Sequence, residues 1–112
     1  MQTVETCLTQ LHALYHPASS DVRITRSPYR ICPLGAHVDH QLGSVTGAPL
    51  DRGITLAFAP NDLRQVRLRS LDFPGEVAFS LERVPPKIDG DWGNYARGAV
   101  WALQQSDSLH TG

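Results

Sequence analysis

The stretch SPYRICPLGAHVDHQLG, residues 27–43, follows neither a helical nor a strand period. In a short span it combines Arg30, two histidines, Asp39 and several prolines and glycines. Pro33 and Gly35 predict a chain reversal, because proline fixes one backbone angle and glycine accepts conformations that other residues avoid. A reversal so rich in polar groups indicates a loop that binds a polar ligand rather than a piece of the core.

Three interpretations of this loop are open from the residues alone. A metal site formed by His37, Asp39 and His40 has suitable ligand types, but side chains this close in sequence rarely all point at one ion. A purely structural loop would use His37 and Asp39 to satisfy backbone groups. Polar-ligand binding is favoured, because Arg30 supplies a fixed cation while the histidine and the carboxylate supply groups that hold hydroxyls.

The composition is that of an ordinary globular chain. The 112 residues are 41% hydrophobic and 19% charged, which is typical of one domain with a modest core. A net charge of -1 creates no overall field that would attract nucleic acid. No apolar run is long enough to cross a bilayer, and the amino terminus lacks the pattern of a secretion signal. We therefore expect a cytoplasmic protein with neither nucleic acid nor membrane as a partner.

Regular elements are predicted on both sides of the loop. Apolar residues at helical spacing predict one amphipathic helix over residues 3–15 and a second from an N-cap at Asp91 to about Gln105. A turn is predicted at residues 51–53. The elements together predict an α+β fold, a mixed β-sheet with two amphipathic helices. Its predicted strands cover residues 21–28, 44–50, 53–60, 65–70 and 76–82.

Two glycines, Gly93 and Gly98, fall within the second helical pattern. Each costs about 1 kcal/mol relative to alanine in a helix interior, so a specific need is expected to keep them there. Close packing against a neighbouring element is the favoured explanation, and room for a ligand is the alternative.

Two segments resemble the galactokinase family of the GHMP kinase superfamily. The first, PYRICPLGAHVDH, is similar to the family pattern Gly-Arg-Val-Asn-Leu-Ile-Gly-Glu-His-x-Asp-Tyr, and Arg30, Gly35, His37 and Asp39 match it in register. The second, WGNYARG at residues 92–98, is similar to the family segment Trp-x-Asn-Tyr-x-x-Gly. Within the superfamily, the segment SPYRICPLGAHVDHQ resembles the corresponding segment of the galacturonokinases. The resemblance implies that the chain is the N-terminal part of a GHMP kinase domain.

The resemblance further implies a sugar-1-kinase, which transfers the γ-phosphoryl group of ATP, with Mg²⁺, to the anomeric hydroxyl of galacturonate or a galactose-like sugar. It implies a catalytic role for Arg30, because a guanidinium can stabilise charge on the attacking oxygen and the transferring phosphoryl group. It also implies that Gly35, Ala36, His37 and Asp39 bind the sugar, the expected small-molecule partner. A carboxylate there can accept hydrogen bonds from two neighbouring hydroxyls.

Ala36 departs from the family pattern, which has at this position a glutamate that contacts the C6 hydroxyl of the sugar. Galacturonate carries its own carboxylate at C6, and two unit charges about 4 Å apart repel by about 4 kcal/mol at an effective dielectric of about 20. Because the chain lacks the glutamate, we predict a preference for galacturonate over galactose.

The sequence contains no pattern of a nucleotide cradle. GHMP kinases hold phosphates with a Gly/Ser-rich loop at a helix N-terminus, and the catalytic aspartate of the family lies beyond that loop. We therefore expect residues 1–112 to be the sugar-binding part of a kinase, truncated before the phosphate loop, with negligible activity alone and no metal or ATP ligands of its own. A non-catalytic sugar-binding module and a nonfunctional remnant are the alternatives, and the sequence predicts no oligomeric state.

Overall fold

A computed structural model describes residues 3–35 and 37–106 of the chain, except the side chain of Asp39. This part divides into two units. The first contains one helix and two strands joined by the polar loop, and the second contains two strands and one helix. The predicted α+β class is confirmed. No helix within these ranges has the length and apolarity needed to cross a membrane.

Helix α1, Val4–Tyr15, begins and ends where the sequence predicts. Thr3 caps its N-terminus, since the threonine hydroxyl accepts a hydrogen bond from the Thr6 amide at 3.1 Å. At the other end, His16 adopts a left-handed conformation with φ of 49°, and its amide donates to the carbonyl of the residue four positions earlier. Pro17 follows this cap, so the helix cannot continue.

Strands β1, Arg23–Ile31, and β2, Ala48–Phe58, form an antiparallel hairpin. The polar loop connects them, and their register shifts between Pro28 and Arg30. Two predictions are wrong here: the first strand does not end before Pro28, and the second and third predicted strands form one element without a turn between them.

Gly53 is the physical reason for both differences. It lies opposite Pro28, and a Cβ atom on it would overlap the carbonyl oxygen of Ser27 and lie 2.7 Å from Pro28 Cα. The glycine therefore serves the close approach of two strands and not a reversal of the chain. Asp51, which the predicted turn would have contained, lies within β2.

Strands β3, Gln65–Arg69, and β4, Glu76–Ser80, form a second antiparallel hairpin, and helix α2 spans Asn94–Gln105. These elements were predicted and are confirmed. The pairing is simpler than the predicted mixed sheet, because each described strand pairs with its neighbour in sequence, in two separate antiparallel pairs. The connection between β3 and β4, residues 70–75, is too short for the crossover that a parallel pair would need.

The buried side chains of the described part all belong to the second unit. On β4, Val77 and Phe79 are 6% and 5% exposed and alternate with exposed neighbours, so both point to one face of the strand. Gln104 of α2 donates a hydrogen bond to the Leu81 carbonyl at 2.6 Å, which ties the helix to the end of β4. In the first unit, every described side chain is half-buried or exposed.

Candidate functional site

The polar loop is closed at its base by Thr46. The Leu34 amide donates a hydrogen bond to Thr46 Oγ1 at 3.0 Å, and the Thr46 amide donates to the Leu34 carbonyl at 2.9 Å. The threonine hydroxyl also approaches that carbonyl at 3.4 Å, and the Cys32 thiol donates to it at 3.3 Å. Two residues twelve positions apart in sequence are thus joined side by side, so the chain between them forms a closed loop.

Val38 organises the backbone inside the loop. Its amide donates to the Gly35 carbonyl at 3.3 Å, and its own carbonyl accepts from the Gly43 amide at 2.9 Å. A single turn of 3-10 helix, Asp39–Gln41, lies between these bonds. The loop therefore satisfies several of its own backbone groups, while the His37 side chain stays exposed and accessible to a ligand.

Gly35 and Gly43 are required by the close packing of the loop. Gly35 has φ of 88°, a conformation that residues with a Cβ atom rarely adopt. A Cβ atom there would also overlap the Ser44 carbonyl oxygen and lie 2.8 Å from Val45 Cα. At Gly43 it would lie 2.6 Å from Val38 Cγ2. The loop can therefore keep this shape only with glycine at these positions.

The predicted catalytic residue and the predicted sugar-binding residues all belong to the first unit. Arg30 lies on β1 directly before the loop and is exposed. Within the loop, Gly35 is half-buried and His37 is exposed. Ala36 and the side chain of Asp39 lie outside the described residues. The roles of these five residues in sugar binding and catalysis stay predictions.

The metal interpretation of the loop gains no support from the side chains that the structure describes. Among them, no group of three histidine, cysteine, aspartate or glutamate residues is placed to hold a metal ion. The predicted set of His37, Asp39 and His40 includes one side chain outside that part, so this alternative stays a prediction.

The segment WGNYARG organises the second unit. Trp92 stacks on Phe73 with ring centroids 6.0 Å apart, and its indole N–H donates to the Pro74 carbonyl at 3.2 Å. The Asn94 side chain donates to the Ile88 carbonyl at 2.6 Å and accepts from the Ile88 amide at 2.9 Å. The segment therefore fixes both the connection between β3 and β4 and the connection that leads into α2.

Arg97 is the buried centre of this segment, with a side chain only 9% exposed. Its Nη2 donates hydrogen bonds to the Asp91 carboxylate and, at 2.9 Å, to Asn94 Oδ1. The predicted N-cap role of Asp91 is wrong, because its carboxylate pairs with this guanidinium and the N-cap position belongs to Gly93. A buried cation needs a nearby anion, and Asp91 supplies it.

The two glycines near this segment differ in their surroundings. A Cβ atom on Gly93 would lie 2.6 Å from Val77 Cγ2 and 2.9 Å from Arg97 Nη1, so the predicted close packing is confirmed there. At Gly98, no described atom lies within 4 Å of such a Cβ atom. The packing explanation is therefore wrong for Gly98.

Acid is expected to weaken the second unit through Asp91. The hydrogen bond from Arg97 lowers the pKa of the Asp91 carboxyl below its ordinary value; desolvation opposes this effect, while the Arg97 charge and the Gly93 amide reinforce it. Since the pKa is lower in the folded state, the stabilisation is present above about pH 4 and is lost as the pH falls through the folded-state value.

Urea unfolding of the wild type and of Asp91→Asn, at about pH 6 and about pH 3, measures this contribution. We expect the variant to be less stable than the wild type at the higher pH and to lose less stability on acidification, because it lacks the titrating group. Equal losses in the two proteins would show that Asp91 contributes nothing to the acid sensitivity.

Comparison with known proteins identifies relatives of the chain. It is 45% identical to the galacturonokinase of Arabidopsis thaliana, in a match that covers 77% of this chain and 24% of that protein. It is 36% identical to the galactokinase of Chloroflexus aggregans, with 76% and 22% covered, and 33% identical to that of a Roseiflexus species, with 80% and 22% covered. No protein-family model and no solved structure matches it.

The chain belongs to the galactokinase family. The resemblance predicted from the polar loop and from WGNYARG is therefore confirmed. The chain spans about a quarter of the length of the curated relatives that it matches. In this member of the galactokinase family, the first resembling segment forms the closed loop and the second forms the buried network around α2.

Two residues that shape this galactokinase-family chain were missed in the sequence. Thr46 falls in a stretch predicted to be a strand, and its partner twelve residues away leaves no local signal. Arg97 left no local signal either, because at helical spacing it lies on a different face from the apolar residues Tyr95, Ala99 and Leu103. Its partner Asp91 was recognised, but as a cap.

Proposed function

We propose that this chain supplies the sugar-binding loop of a sugar-1-kinase, in which the γ-phosphoryl group of ATP is transferred to the anomeric hydroxyl of galacturonate or a galactose-like sugar. The names of the relatives, galacturonokinase and galactokinase, support both the reaction and the class of sugar. The observation that carries the proposal is the closed loop with exposed His37, a few residues after the exposed Arg30 near the end of β1.

Arg30 acts on the reacting atoms in this proposal. It is the second-last residue of β1, so the strand backbone fixes its position relative to the bound sugar. Its planar guanidinium carries several donors and a positive charge, which stabilise the attacking sugar oxygen and the transferring group as negative charge develops. ATP with Mg²⁺ supplies the phosphoryl group when bound, and no described residue is assigned to either.

His37 and Asp39 recognise the sugar hydroxyls in this proposal. The ring nitrogens of a histidine and the oxygens of a carboxylate can bond a hydroxyl as acceptors, and one ring nitrogen can also donate. A loop whose base and backbone are already hydrogen-bonded presents such groups with little loss of conformational entropy on binding. This matches the geometry around Val38, where the loop bonds to itself on both sides of the 3-10 turn.

The proposed substrate class is tested by comparing galacturonate with galactose. We expect the chain to bind galacturonate more tightly, because Ala36 replaces the glutamate that would repel the C6 carboxylate. Ala36→Glu is expected to weaken galacturonate binding by up to about a thousandfold, the equivalent of about 4 kcal/mol. Isothermal titration of the chain with each sugar measures both quantities.

Ala36→Gln is the matched control for this charge, because it adds nearly the same volume without the negative charge. It is expected to weaken galacturonate binding far less than Ala36→Glu does. Equal affinity of the wild type for the two sugars would refute the preference for galacturonate. Failure to bind either sugar would refute the proposed function of the loop.

A further inference from the structure

We propose that Thr46 is a positioning residue for the sugar loop: its hydroxyl fixes the base of the loop and thereby sets where Gly35 and His37 meet the sugar. This inference rests on the proposed function. No motif of the sequence includes Thr46, and the residue acts through Leu34 rather than on the sugar itself.

The hydroxyl of Thr46 is the hydrogen-bond acceptor of the Leu34 amide. It accepts the hydrogen bond of the Leu34 amide at 3.0 Å, next to the backbone bond from the Thr46 amide to the Leu34 carbonyl. If the hydroxyl were removed, the backbone bond could remain but the Leu34 amide would lose its acceptor. Because both residues are exposed, water can replace this acceptor, and the expected cost is the net value of one hydrogen bond.

The position of Thr46 is transmitted to Gly35 by direct packing. Ser44 and Val45 lie so close to Gly35 that a Cβ atom on the glycine would overlap the carbonyl of one and lie 2.8 Å from the Cα of the other. Thr46 directly follows these two residues, so a change in its position moves the surface against which the glycine packs. Gly35 in turn holds Val38 through the 3.3 Å hydrogen bond, on the other side of His37.

The variants Thr46→Val and Thr46→Ser distinguish the effect of the hydroxyl from the effect of the side-chain volume. Valine keeps the shape without an acceptor, and serine keeps the acceptor. Thr9→Val is the control for loss of a threonine hydroxyl elsewhere in the same unit, because the Thr9 hydroxyl donates to the Glu5 carbonyl within α1, at 2.9 Å. Hydrogen exchange of the Leu34 amide and titration with galacturonate are measured for all four proteins.

We expect Thr46→Val to speed exchange of the Leu34 amide about tenfold and to raise the Kd for galacturonate about fivefold to tenfold, as for the loss of one hydrogen bond. Thr46→Ser is expected to keep the exchange rate and the Kd near their wild-type values, and Thr9→Val is expected to change neither. Faster exchange with unchanged sugar affinity would overturn the positioning role and leave the proposed function intact. If the wild type binds no sugar while its Leu34 amide is protected, the proposed function fails and this inference fails with it.

Discussion

Gly35→Ala is expected to raise the Kd of the chain for galacturonate by about thirtyfold or more, the largest effect of any loop substitution that leaves the charges unchanged. A left-handed backbone costs a residue with a Cβ atom about 1–2 kcal/mol. The new methyl group must in addition displace the backbone of Ser44 or Val45, which cannot rotate away as a flexible side chain can. A total of about 2 kcal/mol or more corresponds to the stated change in Kd.

Gly47→Ala is the matched control in the same loop. A Cβ atom there would meet only the Ile31 carbonyl oxygen, at an ordinary distance of 3.8 Å, and the residue does not have a positive φ. We expect its sugar affinity to stay within about twofold of the wild type. Titration and the NMR shift of the Val38 amide, which bonds to Gly35, measure both variants; equal behaviour of the two would contradict the assigned role of Gly35.

Gly93→Ala is expected to destabilise the second unit by about 1–3 kcal/mol, the typical range for an overpacked core. The added methyl group would meet Val77 Cγ2 at 2.6 Å and Arg97 Nη1 at 2.9 Å. Both neighbours are buried, and hydrogen bonds hold the guanidinium in place, so neither can give way freely. Urea unfolding followed by circular dichroism measures the change in the free energy of unfolding.

Gly98→Ala is the control, and the opposite sign is expected for it. The position lies inside α2 with no described atom within 4 Å of the added methyl group. Replacing glycine by alanine in a helix interior stabilises by about 0.5–1 kcal/mol, largely because the unfolded chain loses conformational freedom. If both variants were destabilised alike, the tight packing at Gly93 would not be the cause.

Local patterns were sufficient to predict most of the regular elements. An apolar series at helical spacing, with Pro17 after it, defines α1. The alternation in QVRLR and EVAFS defines β3 and β4 in the same way. Such signals lie within a few residues of the element that they describe, so they need no knowledge of the rest of the fold.

The features that were predicted wrongly depend on partners distant in sequence. Gly53 has the local signature of a turn, but its role follows from Pro28 on the facing strand. Asp91 has the local signature of a helix cap, but its partner Arg97 lies on the helix itself. In the candidate site the residues of the loop were predicted from the family pattern, whereas Thr46, which closes the loop, became visible only in three dimensions.

Under the proposed function, the uneven burial of the two units predicts that bound sugar increases the resistance of the first unit to proteases. The described side chains of the first unit include none that is fully buried, so apolar burial contributes little to its resistance to local opening. A ligand present at about one hundred times its Kd stabilises the folded state by about 2.7 kcal/mol. This is large relative to the stabilisation that apolar burial gives the first unit. We therefore expect cleavage within the first unit to slow as the sugar concentration rises, and cleavage within the second unit, which contains the buried Val77 and Phe79, to be independent of it.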